Sequence, residues 1–190
     1  MKKSLGAKTL AYPTPVWVVG SYDATGKANI MTAAWAGICC SKPPCVTVSI
    51  RKERHSYAAI KDRRSFTLSI PSQAQVAEAD YVGMVSGANV DKFAQAGLTA
   101  VKSDVVDAPY VQEFPFVIEC RLLQTIDLGA HTQFIGEIID VKADETVLDA
   151  EGNVDITKLL PLIYAPGAST YYGVGQAIAK AYSAGKKFEK

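Results

Sequence analysis

Two long runs of strand character, Phe116-Val-Ile-Glu-Cys-Arg-Leu-Leu-Gln-Thr-Ile126 and Thr132-Gln-Phe-Ile-Gly-Glu-Ile-Ile-Asp-Val141, are separated only by a short link that starts Asp127-Leu-Gly129. A link this short joins strands antiparallel, because a parallel return needs a crossover of about a dozen residues or more. The same economy recurs upstream. Val16-Trp-Val-Val-Gly-Ser-Tyr22 reads as a strand, and Asp23-Ala-Thr-Gly26 supplies a hairpin turn. Lys42-Pro-Pro44 then stops the uncharged run Ala28 to Cys40, whose small and hydroxyl residues suggest a strand bending into a loop. Hairpins rather than βαβ units follow, and the expected fold is mainly β: an antiparallel barrel with small helices added.

Two further strands carry more detail. Cys45-Val-Thr-Val-Ser-Ile50 alternates, so Cys45, Thr47 and Ser49 share one face and Val46, Val48 and Ile50 the other. Ser65 to Ile70 reads as a strand ended by Pro71. Helices are expected at Tyr57 to Asp62, with His55 or Ser56 as the cap, at Gln73 to Val85, and at Asp91 to Ala96. The chain from Lys180 onward is a basic tail, helical or frayed.

Charge excludes some functions. Twenty Lys and Arg against nineteen Asp and Glu leave a net charge of +1, so the broad positive field of a nucleic-acid binder is missing. No membrane segment is expected: Leu159 to Ala179 is uncharged, but Pro161, Pro166, Gly167, Gly173 and Gly175 interrupt it. Lys8, Pro13 and Pro15 break any apolar stretch near the start, so no signal peptide is read. The four cysteines, Cys39, Cys40, Cys45 and Cys120, lack paired zinc spacing and read as reduced cytoplasmic thiols. With 48% apolar residues the 190-residue chain reads as a single domain, its core about 13–165 and a C-terminal extension 166–190.

The sharpest chemical feature is the hydroxyl-bearing strand that leads into Arg51-Lys-Glu-Arg-His-Ser56 and the start of a helix. Arginine forks and free helix amides suit a phosphate; a solvated loop offset by acids elsewhere is the plainer reading, and the spacing alone leaves both open. Asn29-Ile-Met-Thr-Ala-Ala-Trp35 offers a second feature, in which Asn29 and Thr32 could bond a polar ligand while Trp35 covers an apolar ring; a core tryptophan is the plainer alternative. His55 and His131 have no ligand-spaced neighbours, so no metal is expected. No catalytic triad, Rossmann fingerprint or Walker motif is present.

Taken in order, Pro13-Thr-Pro-Val-Trp-Val-Val, Gly26-Lys-Ala-Asn-Ile-Met-Thr-Ala-Ala-Trp35, Pro44-Cys-Val-Thr-Val-Ser-Ile, Arg54-His-Ser56-Tyr-Ala-Ala-Ile60, Asp91-Lys-Phe93 and His131-Thr-Gln-Phe-Ile-Gly-Glu137 resemble the flavin reductase-like FMN-binding split-barrel family, nearest to its small electron-transferring members. The resemblance implies a homodimer of six-stranded split barrels with FMN near the subunit interface. It implies that Asn29, Met31, Thr32, Ala33 and neighbouring backbone meet the flavin, that Trp35 shapes the pocket, and that Cys39-Cys40 offer backbone contacts to the ring edge. Ser49, Arg51, Ser56 and Lys92 would hold the phosphate, with His55 and Tyr57 close by and His131 near the exposed ring. Ser56 stands where the family often has threonine. The implied role is an FMN-dependent oxidoreductase or an FMN electron carrier, fed by NAD(P)H or a redox protein. A non-redox barrel that binds some other anion or ligand is the competing class.

Overall fold

The computed structural model describes residues 1–189. In chain order the strands and helices are β1 (Thr14–Pro15), β2 (Trp17–Tyr22), β3 (Ala28–Ala33), β4 (Ala36–Ser41), β5 (Pro44–Arg51), α1 (Ser56–Arg63), β6 (Ser65–Ile70), α2 (Val76–Met84), α3 (Lys92–Ala96), β7 (Ala100–Lys102), β8 (Pro109–Val111), β9 (Phe116–Asp127), β10 (His131–Ala143), α4 (Ile156–Leu159), β11 (Ile163–Ala165) and β12 (Thr170–Tyr172). The main sheet is antiparallel with strand order β3-β2-β6-β9-β10-β5-β4. It has seven strands, one more than the six that the family resemblance implies.

The extra strand comes from the run Ala28 to Cys40. It forms two strands, not a strand and a loop, with the chain breaking at Ala34-Trp35 and crossing from one edge of the sheet to the other. Trp35 pins the crossing, since its carbonyl accepts from the Ser49 amide at 2.8 Å. The sheet's two ends are thereby drawn together, and β3 and β5 line the two sides of the resulting split. The long β9–β10 hairpin is confirmed, with Thr132 opposite Asp127 and Ala143 opposite Phe116, and two register shifts along it.

Both faces of β2 and β3 are buried, which is why neither alternates cleanly in sequence. Val19, Met31 and Ala33 join Val46, Val48, Ile50, Phe66, Leu68 and Phe134 inside the barrel. Val16, Val18 and Ile30 face the other way, against Ala79 and Val82 of α2 and Phe93 of α3. At roughly 1.5–3 kcal/mol per large side chain taken fully out of water, two such clusters dominate the folding energy. Gly20 permits the close approach of β8: a Cβ there would stand 2.0 Å from the Pro109 carbonyl oxygen.

The helices arise locally. The expected helix Gln73 to Val85 begins as a 3₁₀ turn, Gln73–Gln75, closed by a capping box in which Gln75 reaches back to the Ser72 amide. Asp91 caps α3, its side chain accepting from the Ala94 amide at 3.1 Å. His55 occupies the cap position of α1 with helical backbone angles and no capping side-chain bond. The Ser56 hydroxyl is used elsewhere, as follows.

Candidate functional site

The split between β3 and β5 opens into a trough of three joined hollows. The first, about 120 Å³, lies at the start of α1 and is walled by Asn29, Arg51, Arg54, His55, Ser56 and Lys92, with Ser86 and Gly87 also in the wall and Glu53 as its one carboxylate. The second, about 280 Å³, shares Met31, Arg51 and Arg54 with it and continues along Thr32, Ala33, Trp35, Ser49 and His131. The third, about 390 Å³, shares Trp35, Ser49 and His131 and is closed by Thr9, Ala11, Thr14 and Leu128. Character changes along the trough from cationic to apolar.

The cationic end is built by register and burial. Arg51 ends β5 directly opposite His131 of β10, and is exposed and paired with Glu53 at 2.6 Å. Lys92 is 5% exposed, and its ammonium donates to the Val82 carbonyl at 2.7 Å. Desolvation, aided by the nearby Arg54 guanidinium, pulls its pKa down to about 8. Arg54 reaches the Gly83 carbonyl at 3.4 Å. Among the described residues no carboxylate lies within 4.0 Å of either cation. A buried ammonium beside a guanidinium, neither paired with a carboxylate because the hollow's Glu53 is taken by Arg51, is an arrangement that an anion stabilises.

Two hydrogen-bonding side chains sit beside them. Asn29 Nδ2 donates to Ser56 Oγ at 2.8 Å, with both residues buried. Having accepted there, the Ser56 hydroxyl keeps its own proton for another acceptor. Asn29 Oδ1 is buried without a protein partner. Gly87 presses against this amide: a Cβ at Gly87 would stand 1.9 Å from Oδ1 and 3.1 Å from the His55 ring. The first-turn amides of α1 add donors, as at any helix start. His55 Nε2 lies 3.7 Å from Asp23 Oδ2, which holds the ring at the rim.

The expected residues are thus largely gathered. Asn29, Met31, Thr32, Ala33, Trp35, Ser49, Arg51, His55, Ser56, Lys92 and His131 all line the trough. Three do not. Tyr57 points towards the barrel core, its hydroxyl 3.2 Å from Thr132 and its ring edge-on to Phe134 at 5.4 Å. Cys39 and Cys40 stand at the far end of the β4–β5 pair, Cys40 opposite Cys45, whereas the trough begins at Ser49; within one chain they do not reach it. The Thr32 hydroxyl, though in the wall, donates to the Ala79 carbonyl and ties α2 to β3. Ser86, Gly87, Thr9 and Leu128 line the trough without having been expected. Ser86-Gly87 carried a local signal, a turn dipeptide after a helix; the others carried none.

Among the described residues no helix is long and apolar enough to cross a membrane, and no group of three or more His, Cys, Asp or Glu side chains is arranged to hold a metal ion.

A barrel split by a trough that runs from a phosphate-sized cationic corner to a tryptophan-lined apolar end defines an antiparallel split barrel with a site suited to an anion that carries an apolar ring. The flavin reductase like domain model matches residues 9–173, and the chain belongs to that family. Its membership supports a flavin-linked redox role. The fold is similar to that of flavoredoxin of Desulfovibrio vulgaris (Miyazaki F), with a TM-score of 0.94 and 58% identity over 98% of this chain and 100% of that one. It is also similar to flavoredoxin from Methanosarcina acetivorans, with a TM-score of 0.89 and 29% identity over 98% of this chain and 97% of that one. A ferric-chelate reductase (NAD(P)H) of Archaeoglobus fulgidus is 29% identical over 58% of this chain and 63% of its own length.

Proposed function

We propose that the trough holds FMN and that the protein passes electrons through it, from NAD(P)H or a redox protein to an acceptor. The observation that carries this reading is the uncompensated pair of cations, Lys92 and Arg54, beside the Ser56 hydroxyl and the start of α1. Together they make a dianion's receptor, with charge-assisted bonds worth about 1.5–3 kcal/mol each. The donor set fits a phosphate monoester, and the orphaned Asn29 carbonyl oxygen fits a ligand hydroxyl beside it.

Bound flavin supplies hydride and single-electron chemistry itself, so the protein needs neither nucleophile nor general base. This chain's residues bind and orient. Lys92, Arg54 and Ser56 would hold the phosphate, Arg51 would swing from Glu53 towards it, and Asn29 would meet the sugar-alcohol chain. Met31, Ala33 and Trp35 would lie along the ring system, while Ser49 and His131 border its open edge. Ala11 and Leu128 make that end apolar, and it stays open to solvent. A homodimer in the cytoplasm is part of the same reading; exposed Leu128, at 61%, is apolar surface that a second copy would cover.

Comparative titration tests the reading. FMN added to the purified protein should turn it yellow and bind in equal numbers, and riboflavin, which lacks the phosphate, should bind at least tenfold more weakly, the loss of one such charged bond. Equal affinity for the two would remove the phosphate from the cationic corner, and failure to take up either would remove the flavin altogether. Rapid mixing of the loaded protein with NADH or NADPH then separates the donors: fast bleaching makes it a reductase, and none makes it a carrier served by another protein.

A further inference from the structure

All four cysteines are free, with Cys39 and Cys40 exposed and Cys45 and Cys120 buried. Three of them meet at the β4–β5 hairpin, away from the trough. β4 is an edge strand of the main sheet, so one of its sides is open to reagents. Its pairing with β5 runs Ile38 opposite Val46, then shifts register, then sets Cys40 opposite Cys45. Without that shift Cys39 alone would face Cys45; the bulge sets Cys39 and Cys40 together against Cys45, with Cys40 as its register partner.

Directly opposed residues of an antiparallel pair point to the same face, with Cα atoms about 4.5–5.5 Å apart. That lies inside the roughly 4.4–6.8 Å a disulfide spans. Cys40 Sγ is 3.3 Å from the Lys42 carbonyl oxygen, to which it donates, so the thiol is held over the turn. Cys45 is 3% exposed. Burial pushes its thiol up, and the Cys39 thiol, then the Cys40 thiol, push it further. Desolvation raises Cys39 as well. Cys120 sits inside the barrel core among Phe66 and Phe134, beyond the reach of any reagent.

We propose that Cys40 and Cys45 form a reversible dithiol–disulfide pair, a redox modification site on the edge hairpin that owes nothing to the trough. Exposed Cys40 enters the reaction and buried Cys45 resolves it. The Cys40 thiolate attacks a low-molecular-weight disulfide, forming a mixed disulfide and releasing one thiolate. Cys45 then gives its proton to solvent and attacks the Cys40 sulfur, forming the intrachain bond and expelling the second thiolate. Two electrons leave the pair, and the small disulfide departs as two thiols. The ring closed is short, so global stability changes little and the effect is local, fastening the edge strand to its neighbour across the bulge.

The test uses the intact protein equilibrated with mixtures of glutathione and glutathione disulfide, followed by alkylation of remaining thiols and mass mapping. The expected product has both Cys40 and Cys45 unalkylated, a mass lower by two hydrogens, Cys39 and Cys120 alkylated, and full reversal by dithiothreitol. Cys39→Ser should still close the bond; Cys40→Ser should neither close it nor become glutathionylated at Cys45. A bridge that includes Cys39 or Cys120, a bridge between two copies, a lasting glutathione adduct at Cys40, or no oxidation at any ratio would each overturn the pair. Mapping of the unsubstituted chain decides between these outcomes, so nothing hangs on whether a variant at buried Cys45 folds.

Discussion

Two arginine-rich hollows lie at opposite ends of α1, an eight-residue helix about 12 Å long, and they differ in how their charge is met. At the C-terminal end Arg63, Arg64 and Arg121 border a hollow of about 310 Å³. There Arg63 pairs with Asp107 at 3.0 Å and Arg121 with Glu137 at 2.6 Å, while Arg64 donates to the Leu122 and Leu123 carbonyls at 2.9 and 3.2 Å. At the N-terminal end only Arg51 has a carboxylate partner, and the most buried of the cations, Lys92, has none within 4.0 Å among the described residues. The number of cations is the same at the two ends. On the proposed reading, what distinguishes a binding corner from a structural one is charge that the protein has desolvated and left unanswered, reinforced at one end by the helix dipole and opposed by it at the other.

The strongest blow to this contrast is Lys92→Met. Without the ammonium, FMN affinity should fall by about 1.5–3 kcal/mol, at least tenfold, because a charged bond to the phosphate is lost. Ligand-free stability should fall by no more than about 1 kcal/mol, since the lost bond to Val82 is offset by removal of a desolvated charge. Isothermal titration and thermal unfolding read the two quantities separately. Large losses in both would mean that Lys92 supports the fold and not the ligand.

Gly87→Ala strikes the same end without touching a charge. Its Cβ would stand 1.9 Å from Asn29 Oδ1 and 2.7 Å from its Cγ, so the Asn29 amide must turn away from Ser56. Overpacking of this kind costs about 1–3 kcal/mol, and FMN binding should weaken with it while the far hollow is unaffected. Unaltered FMN affinity would show that the Asn29–Ser56 bond has no part in the site.

Lys92 also sets a pH dependence. Its pKa in the ligand-free protein is lowered to about 8, below the unfolded lysine value of about 10.4. Between the two the unfolded chain binds more protons than the folded one, so this group makes ligand-free stability rise as pH climbs through 8 towards 10.4. A bound phosphate favours the ammonium, so FMN affinity should decline above pH 8, by up to about tenfold per unit. Flat affinity from pH 7 to 10 would place the dianion away from Lys92.

How much of this was legible in sequence depends on whether the signal is local. The Cys45 to Ile50 alternation predicted which residues enter the barrel, because period two is a property of the strand itself: Val46, Val48 and Ile50 are buried. The break at Ala34-Trp35 was not legible, since neither residue marks a turn and the crossing is held by a tertiary bond to Ser49. His55 or Ser56 was read as the cap; His55 takes that position, and the Ser56 hydroxyl serves Asn29, a partner 27 residues away. Lys92 entered only through the family resemblance; a lysine after a helix cap reads as solvated, and its burial comes from α2 packing over it. Cys39-Cys40 were expected at the flavin, yet antiparallel register sends the end of β4 away from the end of β5 that carries Ser49 and Arg51.

The smallest expected effect serves as the control. Arg121→Ala removes one half of a pair whose arginine is 62% exposed and whose Glu137 is 23% exposed. Pairs of this kind are screened by solvent and contribute about 0.2–1 kcal/mol, so the unfolding midpoint should shift slightly and the shift should shrink in high salt. FMN affinity should not move, because Arg121 lies at the far end of α1 from the phosphate corner. If it weakened binding as Lys92→Met does, a compensated cation would be acting like an uncompensated one. The distinction between the two ends of the helix would then rest on something other than unanswered charge.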